Sequence, residues 1–486
     1  MKKIKEIPIY HVPASIEWKN FEKKRIETAD TTFILTYPVL TSEQIKHIGE
    51  VVRSNRNDYL ALLPVQQIIE KIDQAIQKWL NPAYPLRQLA EKLLPEITGY
   101  DKEMVRLELK RYMRTFRKKE LLRFLDEELD QGALLDEFRP RKSGGMSRAF
   151  GPAAIFHVFS GNVPGVQIWS IIMGLILKSA CLGKTSFSEP LLPALFVQSL
   201  AEVDKQLAEA MAILPWIGGS SSLEERAIER AEAIIVYGSN QTVETLREKV
   251  PTEKKFLHYG HKISFAMIGK EALTSDYYAE TVHKLAEDVS VYDQQSCLSP
   301  QTIFVEEGGA ITAKGFAQML GAELANYHKK RPRAKLADEE AMSIQKIRNV
   351  HQLESLRNSE TTVYESHSDT AWTVIFHKSP GFAGSPLNRT IHVFSCENLE
   401  HAAECIVPYQ QYLQSCGLAV APQRLFTLAD LLGTIGINRI CPIGEMNRAK
   451  PGWHHDGGFN LLDLVRMVDI ERNVEDYIER FDPDVE

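Results

Sequence analysis

A single cysteine stands among small and amide side chains in YDQQSCLSPQ, Tyr292 to Gln301. As a thiolate, Cys297 could attack an activated carbonyl, because the deprotonated sulfur is the nucleophile. A cysteine is equally a small buried hydrophobe, and its immediate neighbours do not separate the two roles. Three other segments offer matching chemistry. In FSGNVPG (Phe159 to Gly165), Asn162 follows an apolar strand and precedes a helix that begins near Val166. A carboxamide at such a corner can donate a hydrogen bond into the cleft at the carboxyl ends of parallel strands, where ligands bind. It can also simply cap the helix. CLGKTSF places Lys184 just after the next strand, at the same sheet edge, within reach of a phosphate or ribose. IIVYGSNQTVETL ends a strand at Gly238 and Ser239 and opens a helix near Thr242. The N–H groups and dipole of that helix could receive a pyrophosphate, although a plain strand-to-helix connection has the same pattern.

The elements that must position these groups change character along the chain. From about Ala61 to Asp130, apolar residues recur every three or four positions, as in VQQIIEKIDQAIQKWL, which predicts helices. KSGGMSRAFGP (Lys142 to Pro152) is a break. Beyond it, short apolar strands alternate with helices: AAIFHVF, a helix from Val166, SACLGKTSF, AEAIIVYGS, TVETLREKV and KISFAMIG. Strand, helix, strand in succession implies a parallel α/β sheet with crossover helices. A second α/β portion begins near Leu273, and the chain leaves it near Leu425.

The 486 residues allow two or three domains, and 44% hydrophobic with 25% charged residues is an ordinary globular composition. A net charge of −7 argues against a nucleic-acid binder. The basic runs KRYMRTFRKK, on a predicted helix, and KKRPRAK are each followed by acids, as solvated faces are. Six cysteines make no disulfide framework, and no secretory signal opens the chain, so a cytoplasmic protein with reduced thiols is expected. The longest uncharged apolar stretch, Val163 to Leu177, is too short to span a bilayer and reads as a buried helix.

Some motifs point nowhere. Gly183-Lys184-Thr185 resembles the end of a P-loop, but Lys178 stands where that loop needs its first glycine. CENLEHAAEC offers Cys396, His401 and Cys405 without a fourth ligand and reads as an amphipathic helix. HHDGG (His454 to Gly458) reads as a glycine-rich turn with solvated histidines. No metal site is therefore expected, and GxGxxG is absent.

Taken together, FSGNVPG, LGKTSFSEP, YGHKISF, DQQSCLSPQ and the closing GINRICPIGEMNRAKPGWHHDG resemble the acyl-CoA reductase (LuxC-type) family, the reductase component of the fatty-acid reductase of bacterial luminescence, within the aldehyde dehydrogenase superfamily. The resemblance runs from about Phe150 to the C-terminus. It implies an aldehyde dehydrogenase-like α/β fold, with a helical N-terminal region over 1–140, a Rossmann-type cofactor domain over 141–272 to which 426–486 return, and a catalytic-thiol domain over 273–425. It implies Cys297 as the catalytic thiol and Asn162 as the amide that completes an oxyanion hole. Lys184 would meet the adenosine ribose, and Gly238 and Ser239 would form the turn beside the pyrophosphate. Ser160, Ser186 and Thr242 complete the expected cofactor-facing set.

Two departures from the superfamily pattern bear on the reaction. His258 in HYGHK takes the place of the glutamate that activates water in hydrolytic members. Phe187 takes the place of the acid that would repel a 2′-phosphate, so NADPH becomes acceptable. The implied activity is NADPH-dependent reduction of a long-chain acyl thioester to the aldehyde through an acyl-cysteine. This chemistry needs a thiolate whose pKa is lowered by nearby donors, a helix terminus or the cofactor. The implied partners are fatty acyl-CoA or an acylated carrier protein, an acyl-protein synthetase and further copies of the chain. The competing readings are an aldehyde dehydrogenase that forms acid, favoured if His258 activates water, and a non-catalytic acyl-carrier scaffold.

Overall fold

A computed structural model describes residues 3–484. The chain forms two compact units. The first comprises residues 1–96, 109–260 and 458–486, and the second 97–108 and 261–457.

The first unit is organised on a five-stranded parallel sheet of Ala154–Val158, Ala180–Thr185, Met211–Pro215, Ala233–Tyr237 and Lys255–Tyr259. These strands are apolar runs rather than alternating ones because helices cover both faces. Helix Val166–Ile176 is buried along nearly its whole length, which accounts for the long uncharged stretch. Its crossover and the next carry the chain outward from the first strand to the second and third. The chain then returns to the other side of the first strand with Ala233–Tyr237 and ends at the Lys255–Tyr259 edge. The strand order therefore reverses between Ala154–Val158 and Ala233–Tyr237, the position at which open α/β sheets bind ligands.

Residues 1–140 are helical only from Ser42, since strands Lys3–Pro8, Phe21–Glu27 and Thr31–Pro38 form a small sheet before that point. Helix Ser42–Asp58 packs Ile45, Ile48 and Val52 into the same apolar cluster as Phe156 and Ile234 of the large sheet. Most of the N-terminal region thus joins the first unit instead of standing apart. The basic run around Lys110 is not one continuous helix: Lys102–Arg114 ends and Lys118–Leu129 begins after a short turn. Strand Arg466–Ile470 pairs antiparallel with Met146–Phe150, so the return to this unit begins at Gly458, later than the expected 426. Among the described residues, no helix is long and apolar enough to cross a membrane.

The second unit is a seven-stranded sheet in the order Thr361–Glu365, Thr373–His377, Thr390–Cys396, Pro300–Glu306, Ile263–Ile268, Leu413–Ala419 and Arg439–Pro442. Only the first pair is antiparallel. Along Ile263–Ile268 the side chains divide by the period of two: Ala266 and Ile268 enter one apolar cluster, Phe265 and Met267 the other. Segment 426–457 belongs here because Arg439–Pro442 extends this sheet beside Leu413–Ala419. Cys396 ends a strand, and the helix expected around it is confined to Leu399–Glu404.

Candidate active site

Cys297 lies in the second unit, in a turn closed by the Ser299 N–H donating to the Ser296 carbonyl at 3.0 Å. Its own carbonyl accepts from Ser264 Oγ at 2.7 Å. The backbone leading into this turn is unusual. Tyr292, Asp293 and Gln294 have φ of 51°, 49° and 68°, three successive left-handed residues that are not glycine. Such conformations are strained and persist only when their surroundings over-determine them.

Here the surroundings do so. Asp293 Oδ1 accepts from Arg389 Nε at 2.8 Å, and Asp293 Oδ2 from the Ala334 N–H at 2.9 Å. Gln294 donates to the Pro300 carbonyl at 2.7 Å and accepts from the Thr390 N–H at 3.0 Å. Gln295 donates to Asn388 Oδ1 at 3.0 Å. Both Asp293 and Arg389 are fully buried, and Leu387 to Arg389 are themselves left-handed. Two strained turns thus interlock and hold the segment that presents the thiol.

The electrostatics of the thiol differ from the sequence expectation. Cys297 is half-buried, yet burial pushes its thiol up to about 12, and the negative field of Asp456 raises it further. A hydrogen bond from the Gln414 side chain and the field of Arg439 act in the opposite direction without prevailing. The thiol is therefore protonated at neutral pH, because the low-dielectric surroundings oppose a new negative charge. The Gln414 amide links two groups here, since it also donates to Asp456 Oδ1 at 2.6 Å.

Gln414, Arg439 and Asp456 carried no role in the sequence reasoning. The last two lie in the closing segment that marked the family resemblance, so the signal was present without an assignment. Asp456 has φ 53°, and burial lowers His455 to about 4. His455 is half-buried and packs on Trp453 at 4.6 Å between centroids, whereas His454 is exposed, so only one of the two histidines of HHDGG is solvated as expected. Asp288 anchors this segment by accepting the Gly444 and Met446 N–H groups.

Asn162, Ser160, Lys184, Ser186, Gly238, Ser239 and Thr242 lie in the first unit, at the carboxyl ends of three adjacent parallel strands. Asn162 is exposed in the loop after Ala154–Val158. It is not the helix cap: Gly165 holds that position, with φ 114°. A side chain at Gly165 would run into the Tyr112 ring, 2.6 Å from a new Cβ, so glycine is required on two counts. Gln167 stitches the corner by donating to the Ser160 carbonyl at 2.8 Å and accepting from the Gly165 N–H at 3.0 Å. It also meets buried Glu189, whose other oxygen accepts from the Leu191 and Leu192 N–H groups at 2.9 and 2.8 Å. The two loops approach so closely that a Cβ on Gly161 would fall 2.0 Å from Ser188 Oγ.

Lys184 is in the strand Ala180–Thr185 rather than after it. It is buried, and its Nζ would lie 3.4 Å from a Cβ on Gly218, in the turn that follows the neighbouring strand. Burial lowers its pKa, and the field of Glu224 partly restores it. Among the described residues Lys184 forms no ion pair, since Glu224 is engaged by Lys249 at 2.8 Å. Ser239 caps helix Asn240–Arg247 by accepting from the Thr242 N–H, so the helix opens two residues earlier than expected. Phe187 is half-buried with its ring edge-on to Tyr37 at 5.1 Å. His258 is exposed on the edge strand Lys255–Tyr259, where it pairs with Val236.

The fold is that of the aldehyde dehydrogenases. It matches Mycobacterium tuberculosis Δ-pyrroline-5-carboxylate dehydrogenase bound with NAD at TM-score 0.70 and 13% identity, covering 96% of this chain and 90% of that one. It matches aldehyde dehydrogenase 21 of Physcomitrella patens at TM-score 0.69 and 12% identity, covering 97% and 99%. Within that fold the sequence is more specific. Residues 60–467 match the model of the acyl-CoA reductase (LuxC) family, and the chain belongs to that family. It is thus an enzyme of the aldehyde-forming acyl reductase class. Relatives called long-chain acyl-protein thioester reductase share 26% identity in Photorhabdus laumondii, over 90% of this chain and 87% of that one. The Photobacterium phosphoreum protein of that name shares 24%, over 96% and 92%.

Proposed function

We propose that this enzyme reduces a long-chain fatty acyl thioester, carried by coenzyme A or by a protein, to the fatty aldehyde through an acyl-enzyme on Cys297. The observation that carries the reading is the thiol turn itself. Three strained residues and a buried ion pair hold one cysteine in place, an arrangement a space-filling thiol would not need. The activity for which the relatives are named supports the same reaction class.

A nicotinamide cofactor fits the first unit. Asn162 and Ser239 follow the two strands at which the order reverses, and buried Lys184, which forms no ion pair among the described residues, has a charge suited to a phosphate. When bound, NADPH would supply the hydride. Lys184 and Ser186 would hold the adenosine end, with Phe187 offering no charge against a 2′-phosphate. Ser239, Gly238 and Thr242 would present the helix N-terminus to the pyrophosphate.

The chain's own residues have three tasks. The Cys297 sulfur forms a bond to the acyl carbon while its proton leaves, and the carrier thiol departs after taking a proton. Asp456, whose negative field already acts on the thiol, is the proposed acceptor on the same unit. The Asn162 amide is the proposed donor to the carbonyl oxygen as charge develops there. With His258 on an exposed edge strand in place of a glutamate, water activation is not part of the proposal, and aldehyde is the product.

Mass spectrometry of the protein after incubation with fatty acyl-CoA and no reductant tests the reading. One acyl group on Cys297 is expected, released as aldehyde when NADPH is added. Cys297→Ser should abolish both. Acylation elsewhere, or release only as free acid, would contradict it.

A further inference from the structure

Three imidazoles of the second unit converge from three elements. His351 is on helix Asp338–Arg357, His377 ends strand Thr373–His377, and His392 is within strand Thr390–Cys396. Their ring centroids are 5.2, 5.5 and 5.3 Å apart, and one nitrogen of each lies within 4.8 Å of the others. The strand register explains two of them. Ile375 pairs with His392 and His377 with Phe394 in parallel strands, so both imidazoles stand on one face as diagonal neighbours.

The third is delivered by Arg348, buried one turn earlier on the helix. Its guanidinium donates to Thr373 Oγ1 and to the Asp369 and Trp372 carbonyls, each at 2.8 Å. This clamps the helix against the start of the His377 strand and sets the His351 ring edge-on to the pair.

The cluster has the marks of a ligand set rather than of apolar packing. His377 Nε2 and His392 Nδ1 face one another at 3.0 Å, so one bears the hydrogen and the other a lone pair. His392 Nε2 is buried and makes no hydrogen bond of normal geometry, although the Gly384 backbone lies against the ring. His351 Nδ1 is 2.6 Å from the Glu354 carboxylate. A carboxylate on the outer nitrogen is the contact that orients a ligating imidazole, and it leaves Nε2 as the donor atom.

We propose that His351, His377 and His392 bind a divalent transition-metal ion, zinc, strapping helix Asp338–Arg357 to the sheet. Zinc–imidazole bonds of about 2.0–2.1 Å in a tetrahedron put ligand nitrogens about 3.4 Å apart. The His377–His392 pair is already near that spacing. His351 is partly buried, and the three ligand nitrogens, within 4.8 Å of one another, draw together to close the site. On binding, the hydrogen shared by the pair moves to the outer nitrogen of its own ring, and both facing lone pairs turn to the metal. The fourth position goes to water, on the side where His351 and Glu354 reach solvent.

The test uses the full chain without a polyhistidine tag, stripped with EDTA and titrated with zinc against a chromophoric chelator. One zinc per chain is expected. Glu354→Gln should weaken binding by about 10–100-fold, and His351→Ala by more. Cys297→Ser should bind zinc like the wild type, which separates this site from the thiol and from the proposed reaction. Cobalt(II) provides a second readout on the unaltered protein: visible d–d bands without a thiolate charge-transfer band, absent in His351→Ala. Failure of the wild type to take up one zinc would overturn the proposal. So would equal affinity in folded His351→Ala, or a thiolate band in the cobalt spectrum.

Discussion

Asp456 and Gln414 act on Cys297 in opposite directions, which makes the thiol's chemistry separable by substitution. Removing the negative field in Asp456→Asn should lower the thiol pKa, so alkylation by iodoacetamide at fixed alkaline pH, read by peptide mass spectrometry at Cys297, should speed up. Gln414→Leu removes a donor to the sulfur and should slow it. If Asp456 is also the proton acceptor, Asp456→Asn will acylate more slowly while alkylating faster, a split that a field effect alone cannot produce. Asn162 is a second residue-scale case. Because Gly165 and not Asn162 caps the following helix, Asn162→Ala should leave the melting temperature unchanged. It should lower the acylation rate by about a hundredfold or more if the amide stabilises the oxyanion. A loss of stability with full turnover would assign the side chain to the loop instead.

At the scale of elements, the thiol turn depends on the turn beside it. Arg389 and Asp293 are both fully buried, and the guanidinium also lies over the Tyr327 ring at 5.2 Å. Arg389→Met leaves the Asp293 carboxylate buried without its cation, a change that costs about 3–5 kcal/mol where such pairs have been broken. Urea unfolding should show a loss of that order in the variant. Unfolding at the wild-type midpoint would show that the left-handed residues are held by the Gln294 and Gln295 amides alone.

Over the whole molecule, buried ionisable groups give stability a dependence on pH. Burial raises Glu189 to about 7 in the folded state, against about 4.3 in an unfolded chain. Between those values the folded form binds more protons, so this group's contribution is greatest below about pH 4.3 and falls as the pH rises to about 7. Asp288, also raised to about 7 by burial, has the same sign. Glu189→Gln isolates the first term. Its melting temperature should gain on the wild type's as the pH is taken from 5 to 8, and a constant difference would show that Glu189 does not titrate there.

The α/β class was legible in the sequence because strands covered on both faces are continuous apolar runs, and their alternation with helices admits few connections. The family was legible because FSGNVPG, DQQSCLSPQ and the closing segment are local strings. The small N-terminal sheet was missed because Lys3–Pro8 and Phe21–Glu27 are mostly exposed, with no apolar periodicity to reveal them. What depended on residues distant in the chain required the tertiary structure: the seating of segment 426–457 in the second sheet and the raised pKa of Cys297. Asp456 and Gln414 come to the thiol from more than a hundred residues away, and His351, His377 and His392 meet only through strand register and the Arg348 clamp. Local sequence carries propensity and pattern, whereas a pKa or a ligand set is a sum over neighbours in space, and those neighbours exist only once the chain has folded.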